Sequence, residues 1–174
     1  MVKDFAGRAP WLRATLGRWL VARELRAYRA LAGHPNVPRL LGRAGPYGLA
    51  IEYRPGRRLS RQRAGELPAD FLAQLARAVG EMHARGVVHL DLRHRSNVLV
   101  GADGEPILID FASAVCLRPE RGLERVLLRA LAWLDERALA KWRAKLAQSL
   151  DGGGGDGRGG AGSSGAGRRA SRPT

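Results

Sequence analysis

The amino-acid sequence predicts an α+β protein with a strand-rich front part and a helical back part. Two observations carry this prediction. Apolar residues recur at helical spacing in several long segments. Shorter apolar runs, bounded by turn residues, indicate strands. The helices flank one short hairpin, and this order is typical of α+β proteins.

The front part is predicted to hold one helix and three short strands. Residues 2–5 have the composition of a strand end. Apolar residues at helical spacing, among them Leu20 and Leu25, predict a helix over about residues 16–32. Residues 37–41 and 48–53 are predicted strands, and the Arg-Pro-Gly run that follows is expected to end the second of them.

The back part is predicted to hold three helices around the hairpin. Asp70 is the expected N-cap of a helix that reaches about residue 85, where Gly86 ends it. Two brief strands, residues 98–100 and 106–109, are separated by Gly101-Ala102-Asp103-Gly104, which is a strong hairpin signal. Helical spacing over residues 123–134, and again over 139–146, predicts two further helices.

Composition separates one folded domain from a tail. The 174 residues, 45% of them hydrophobic, are enough for one domain with a real core. Residues 151–174 contain ten glycines and almost no apolar side chain, which predicts a disordered tail. The folded domain is therefore expected to cover residues 1–150.

The net charge of +14 favours an acidic partner. Nucleic acid, an anionic membrane and a phosphorylated substrate all fit, although a genome rich in G and C would also explain 27 arginines against three lysines. The sequence has no helix-turn-helix or zinc-finger pattern, so nucleic acid is the least expected partner but stays open.

The sequence predicts a cytoplasmic protein. Its single cysteine, Cys116, allows no disulfide framework. No apolar run of the kind found in a signal peptide follows Lys3. Charges such as Asp110 and Arg129 break the apolar runs, so no segment is expected to span a membrane. Peripheral contact with an anionic inner membrane stays open because of the positive charge.

Polar side chains are predicted to meet at the open end of the hairpin. With the turn centred on residues 102–103, Asn97 falls opposite residue 109 or 110, at the distance of a cross-strand pair. The carboxylate of Asp110 would then lie near the amide of Asn97, and two hard oxygen ligands suit Mg²⁺. Asp91, just before this hairpin, brings a third polar group to the same end.

Two motifs around the hairpin resemble those of protein kinases and their relatives. The run His89-Leu90-Asp91-Leu92-Arg93-His94-Arg95-Ser96-Asn97 resembles their catalytic loop, and Ile109-Asp110-Phe111-Ala112 resembles their metal-binding Asp-Phe-Gly motif. Five residues separate Asp91 from Asn97, where the family has four, so an ungapped alignment would put Ser96 in the metal position. Asn97 is preferred because an apolar strand begins directly after it.

The resemblance implies roles for several of these residues. Asp91 would orient and deprotonate the acceptor hydroxyl, and Asn97 and Asp110 would hold Mg²⁺ against the phosphates of ATP. Arg93 would contact the γ-phosphate or an acidic substrate, or lie on a solvated face. His89 would pack and orient the loop.

A nucleotide-binding front is also implied. Lys3 is the first lysine in an arginine-rich chain, which suggests a site that needs a compact ammonium. The helical spacing places Glu24 at a buried edge of the first helix. The two resemble the kinase pair in which glutamate orients the lysine that holds the phosphates. A solvated chain start for Lys3 and surface pairing for Glu24 are the alternatives. The backbone at Glu52 and Tyr53 would bind adenine.

The resemblance implies a protein-kinase-like two-lobe fold, with a truncated strand-rich N-lobe over about residues 1–53 and a short helical C-lobe over about 57–150. Without an Ala-Pro-Glu segment, the chain is most similar to the small RIO-type and lipopolysaccharide-core kinases of bacteria. The implied activity is ATP-dependent phosphoryl transfer to a hydroxyl, on a protein Ser/Thr or on a glycolipid sugar.

A nucleotide-binding pseudokinase, or a shortened inactive form, is the rival interpretation. In the family a Gly-rich hairpin precedes the lysine, and Lys3 stands near the first residue of this sequence. We therefore expect upstream in-frame codons to encode that hairpin, unless the chain is a shortened form.

Overall fold

The computed structural model describes residues 2–4, 17–62 and 64–151, and it has the predicted α+β character. The three α-helices of this part are α1 (Arg18–Ala30), α2 (Phe71–Ala84) and α3 (Gly122–Asp151). Its strands are β1 (Val2–Asp4), β2 (Leu40–Arg43), β3 (Gly48–Ile51), β4 (Gly56–Arg58), β5 (Val87–Val88), β6 (Val98–Gly101), β7 (Pro106–Leu108) and β8 (Val115–Cys116).

The strands form three small antiparallel sheets. The first has the order β1-β3-β2, the second has the order β4-β6-β7, and the third is the pair β5-β8. The hairpin of β6 and β7 has the predicted register, because Val100 lies opposite Pro106 and Val98 opposite Leu108. One step further, the N–H of Ile109 donates to the carbonyl of Asn97 at 3.0 Å. Asn97 therefore faces residue 109, one of the two predicted partners.

The predicted strand boundaries need correction in the front part. Residues 37–39 lie outside β2, which begins at Leu40, because the N–H of Val37 closes a turn onto the carbonyl of His34. The glycine of the Arg-Pro-Gly run already begins β4, a strand that the sequence did not predict. The charged residues of β4 are held by pairing with β6, and Gly56 is required there because a Cβ would meet the Val100 carbonyl at 2.8 Å.

One prediction about the helices is wrong and another holds in part. Residues 122–151 form the single helix α3, not two, because nothing between the two predicted segments breaks the helical hydrogen bonds. Asp70 occupies the N-cap position of α2, as predicted, but its side chain makes no capping hydrogen bond. Its carboxylate instead accepts a hydrogen bond from the side chain of Gln74 at 2.8 Å. The predicted tail lies outside the described residues, apart from Asp151, the last residue of α3.

The apolar faces of all three helices meet in one core. The predicted face of α2 is buried through Phe71, Leu75, Val79 and Met82. The same cluster contains side chains from α1, β3, β6, β7 and α3. Burying an aliphatic or aromatic side chain of this size stabilises a fold by about 1.5–3 kcal/mol, so this cluster fixes the helices around the hairpin.

Polar contacts join the front part to the hairpin and to α2. The side chain of Asn36 donates to the carbonyl of Pro106 at 2.8 Å, and its own carbonyl accepts from the N–H of Leu108 at 2.8 Å. The buried ring of His34 lies 3.1 Å from the carbonyl of Ala78. These contacts fix the segment before β2 against the back part. Within the described ranges, no helix has the length and apolar character needed to cross a bilayer.

Candidate functional site

Asp91 and Asn97 are in direct contact at the open end of the β6–β7 hairpin. The amide nitrogen of Asn97 donates to the Asp91 carbonyl at 3.0 Å and to its carboxylate Oδ2 at 2.9 Å. The turn Arg95–Asn97 that leads into β6 is a 3₁₀-helix. Because both donor bonds of the amide go to Asp91, the amide oxygen of Asn97 remains as an acceptor.

Asp110 follows Ile109, the residue opposite Asn97, and its backbone is left-handed with φ of 67°. Few residues other than glycine adopt this conformation, and such strain is concentrated at functional sites. The buried ring of Phe111 holds the turn in place. Its centroid lies 5.1 Å from that of Tyr28 and 4.9 Å from that of His89. Asp110 is thereby anchored between α1 and the loop that carries Asp91.

His89 is fully buried and orients this loop, in keeping with the structural role expected for it. One ring nitrogen lies 3.0 Å from the Ile109 carbonyl, and the other lies 3.3 Å from the N–H of Asp91. Burial lowers the pKa of His89, and the Ile109 contact opposes that effect. A neutral ring is therefore favoured, with Nε2–H donating to Ile109 and Nδ1 accepting from Asp91.

Asp135 of α3 is a residue of the site that the sequence did not reveal. Its carboxylate, 1% exposed, accepts hydrogen bonds from the N–H groups of His89 at 2.9 Å and Leu90 at 3.0 Å. The ring of His83 lies 3.1 Å from the same carboxylate. Only the helical spacing could have indicated that Asp135 is buried. Asp135 stands four residues before Leu139, and both lie on the buried face of α3.

Asp135 also stabilises strained backbone. Leu90 has a φ of 64°, which is a rare conformation for a bulky residue. The carboxylate accepts from the N–H groups of the successive residues His89 and Leu90, and so holds the peptide link between them. Fixing this link determines the direction in which the next residue, Asp91, leaves the turn.

The predicted front residues are brought near the site to different extents. Glu24 of α1 is 1% exposed, so the buried position is confirmed and the surface alternative is wrong. Burial raises the pKa of Tyr28, with a smaller contribution from the carboxylates of Glu24 and Asp110. Both acids therefore lie near one phenol. Lys3 is in β1 opposite Leu49, and its side chain lies outside the described part of the structure.

A cavity of about 550 Å³ lies between the end of β3, strand β4 and the hairpin. It extends from Glu52, Tyr53 and Arg54 to Leu99 and Ile109, so it ends next to Asp110. Its volume is in the range of small-molecule sites.

The Glu52 N–H is already donated to the carbonyl of Arg39 at 2.8 Å, and the Glu52 side chain accepts from the N–H of Arg39 at 3.0 Å. The N–H of Glu52 is therefore used within the protein, and a backbone contact of this residue with adenine stays a prediction. The N–H groups of Tyr53 and Arg54 make no backbone hydrogen bond within the described ranges.

The wall of this cavity is strongly basic. Arg54 is paired with Glu105 at 3.1 Å. Arg57, Arg58 and Arg61 line the cavity as well, and none of the three forms an ion pair within the part of the chain that the structure describes. Unpaired arginines around a concave site favour an anionic ligand, because guanidinium groups bind phosphate and carboxylate oxygens through two parallel hydrogen bonds.

Arg93 lies at the surface beside Asp91, with Nε 3.4 Å from Oδ1 of that carboxylate. The ring of His94 lies 3.6 Å from the same oxygen. Both side chains are more than half exposed, and surface pairs of this kind contribute little to stability. Asp91 is therefore held by Asn97 on one side and remains accessible on the other.

Comparison with known proteins gives one partial similarity. The chain is 31% identical over 76 residues to mouse (Mus musculus) serine/threonine-protein kinase 16, which covers 42% of this chain and 24% of that protein. The chain thus spans about a quarter of the length of the relative that it matches. No family model matches the chain.

Proposed function

We propose that this chain is an ATP-dependent phosphotransferase of the protein-kinase-like superfamily. The observation that carries the proposal is the contact between Asp91 and Asn97 at the open end of the hairpin, where Ile109 pairs with Asn97, lines the cavity of about 550 Å³ and leads into Asp110. The partial similarity to a serine/threonine-protein kinase supports the same class of reaction. The unpaired arginines in the wall of the cavity suit a ligand that carries several phosphates.

In the proposed reaction, Asp91 accepts the proton of the acceptor hydroxyl as that oxygen attacks the γ-phosphorus. The exposed side of its carboxylate faces the acceptor, while the contact with Asn97 fixes its orientation. The bond to the β–γ bridging oxygen breaks, and ADP leaves. Because the transition state of phosphoryl transfer is loose, positioning and electrostatics account for most of the catalysis.

The donor atoms at the site fit Mg²⁺. The amide oxygen of Asn97 and the carboxylate of Asp110 are hard oxygen ligands, and Mg²⁺ takes few protein ligands beside phosphate oxygens and water. When bound, the ion would neutralise charge on the phosphates. Lys3, oriented by Glu24, is proposed to contact the α- and β-phosphates. Tyr53 and Arg54 would present backbone N–H groups to the adenine.

The acceptor is proposed to be a Ser or Thr hydroxyl of a protein, in a kinase similar to the RIO type. The mouse relative is a serine/threonine-protein kinase, which favours a protein acceptor. A sugar hydroxyl of lipopolysaccharide is the alternative, and the basic surface fits both. Arg93, exposed next to Asp91, would contact the transferred phosphate or an acidic group of the acceptor.

The proposal is tested with γ-labelled ATP and Mg²⁺, offered together with candidate proteins and with purified lipopolysaccharide. We expect label on one acceptor and a loss of about 10²–10⁴-fold in turnover for Asp91→Ala, the usual effect of removing a positioned proton acceptor. ATP affinity should be unchanged in this variant. Asp103→Ala, which removes an exposed carboxylate from the turn of the same hairpin, is the matched control and should keep full turnover.

The outcomes separate the rivals. Equal turnover of Asp91→Ala and wild type would refute the assignment of Asp91. Binding of ATP without transfer to any acceptor or to water would favour a nucleotide-binding pseudokinase. Absence of ATP binding would refute the phosphotransferase proposal as a whole.

A further inference from the structure

The exposed face of α3 carries a stripe of large apolar side chains. Leu123 is 84% exposed and Trp133 is 51% exposed. We call this set the α3 stripe; its members are Leu123, Val126, Leu127, Trp133 and Leu134. Within the described ranges these side chains leave a large part of their surface in water, and an apolar patch of this kind is uncommon on a protein without a partner.

The α3 stripe is separated from the core by the geometry of the helix. The buried positions of α3 recur at spacings of three and four residues, from Leu128 through Asp135 to Trp142. At 3.6 residues per turn, Leu123 and Trp133 point to roughly the opposite side of the helix. The stripe therefore does not belong to the core, and it extends for about 16 Å along the helix axis.

Basic side chains surround the α3 stripe. Residues 118–145 contain eight basic residues and four acidic ones, and one of those acids, Asp135, is buried. Arg125 and Arg129 form no ion pair within the described part of the chain. The guanidinium carbon of Arg137 lies 4.6 Å from the ring centroid of Trp133, so charge and aromatic surface are presented together.

We propose that the α3 stripe docks onto the surface of an anionic lipid bilayer. A helix that lies in a membrane interface typically has leucine and tryptophan on one face and arginines beside that face. Charge complementarity favours an anionic bilayer as the partner, because basic residues near an anionic leaflet are attracted to its headgroups. The proposal goes beyond phosphoryl transfer and needs no nucleotide.

The α3 stripe is continuous with the loop of the candidate site. Leu134 and Arg137 also line a groove of about 290 Å³, and its other wall consists of Leu90, Leu92 and Arg93. When the stripe lies on the bilayer, this groove and the neighbouring Asp91 lie at the level of the lipid headgroups. A substrate presented from the membrane would reach the loop without crossing the protein.

Sedimentation with vesicles tests the docking directly. We expect the chain to bind vesicles of phosphatidylcholine with phosphatidylglycerol, to bind pure phosphatidylcholine poorly, and to lose affinity as salt rises. Replacing Arg125 or Arg129 with Gln should weaken binding about fivefold each, and Leu123→Ser about tenfold. Arg29→Gln on α1, with the same change of charge, and Leu41→Ser on β2, also exposed, should bind as wild type.

A second measurement locates the contact. Trp133 and Trp19 are 51% and 54% exposed, so they form a matched pair on different helices. Brominated phosphatidylcholine mixed with phosphatidylglycerol should quench tryptophan fluorescence in the wild type and in Trp19→Phe. The quenching should be lost in Trp133→Phe.

Three results would overturn the proposal. The first is equal binding to charged and neutral vesicles, or none to either. The second is quenching that survives in Trp133→Phe. The third is self-association that Leu123→Ser abolishes, because a second copy of the chain would then cover the α3 stripe. None of these measurements requires catalysis, so their failure is separate from failure of the proposed phosphotransferase activity.

Discussion

Replacing Asp135 by Ala should destabilise the protein strongly and slow turnover. The change leaves two N–H groups, those of His89 and Leu90, without their carboxylate acceptor. Each buried donor that loses its partner costs about 1–3 kcal/mol. The expected loss in the free energy of unfolding is therefore about 3–4 kcal/mol, which corresponds to a fall of roughly 6–15 °C in Tm for a chain of this size.

The loss of unfolding free energy should depend on how many acceptor oxygens remain at residue 135, and it should not occur at the neighbouring residue. Asp135→Asn keeps one oxygen that can accept from one of the two N–H groups, so about half of the loss is expected. Glu136→Ala removes a charge from the next, exposed residue and should leave the free energy of unfolding within about 0.5 kcal/mol of wild type. Urea denaturation followed by circular dichroism gives the free energies, with an unchanged m-value as the check that the denatured states are comparable.

Turnover provides the second readout of the Asp135 variants. Leu90 is held in its strained conformation by this carboxylate, and Asp91 follows directly. At a temperature where Asp135→Asn stays folded, kcat should fall while the KM for ATP stays constant, because the cavity lies on other elements. A midpoint for Asp135→Ala equal to that of Glu136→Ala would refute the reasoning.

Three further predictions concern single positions. Asp110→Asn should abolish Mg²⁺-dependent transfer without a change in Tm, because the amide keeps the shape but loses the charge that binds the ion; full activity would exclude that role. Gly86→Ala should lower the free energy of unfolding by more than about 2 kcal/mol, because φ at this residue is +75° and a Cβ would meet a backbone carbonyl at 2.1 Å. Gly80→Ala, in the middle of α2 where a Cβ meets nothing, should raise it by about 0.5–1 kcal/mol. The pKa of His89 is lowered by burial from its ordinary value of 6.5, so the unfolded chain takes up this proton first and stability should fall as the pH drops below about 6.5. In urea titrations over this range, His89→Gln should flatten the decline; a slope identical to that of the wild type would contradict the assignment.

The hairpin and its polar residues could be predicted from the sequence because the forces that form them are local. A Gly-Ala-Asp-Gly turn between two apolar runs fixes the register, and the register fixes which residue faces Asn97. The buried face of α2 was predictable for a similar reason, since spacing alone identifies the core side of a helix.

Features that depend on distant contacts were not predictable. The strand β4 consists of Gly56 and two arginines, and it exists because β6 offers it an edge. Asp135 reaches His89 across 46 residues of sequence, so no local pattern connects the two. The hydrogen bond from the N–H of Glu52 to the carbonyl of Arg39 is a further case, because Arg39 belongs to a different segment of the chain.

The pairing of β5 with β8 has a consequence for the motions of the molecule. Asp91, Asn97 and Asp110 all lie on the stretch of chain between Val88 and Val115, which face each other across this two-strand pair. The pair closes the stretch into a loop, so a fluctuation that separates the two strands releases all three residues together. We expect the amide hydrogens of this segment to exchange with solvent as one cooperative unit, with a common free energy of opening. The candidate site should therefore be either wholly formed or wholly open.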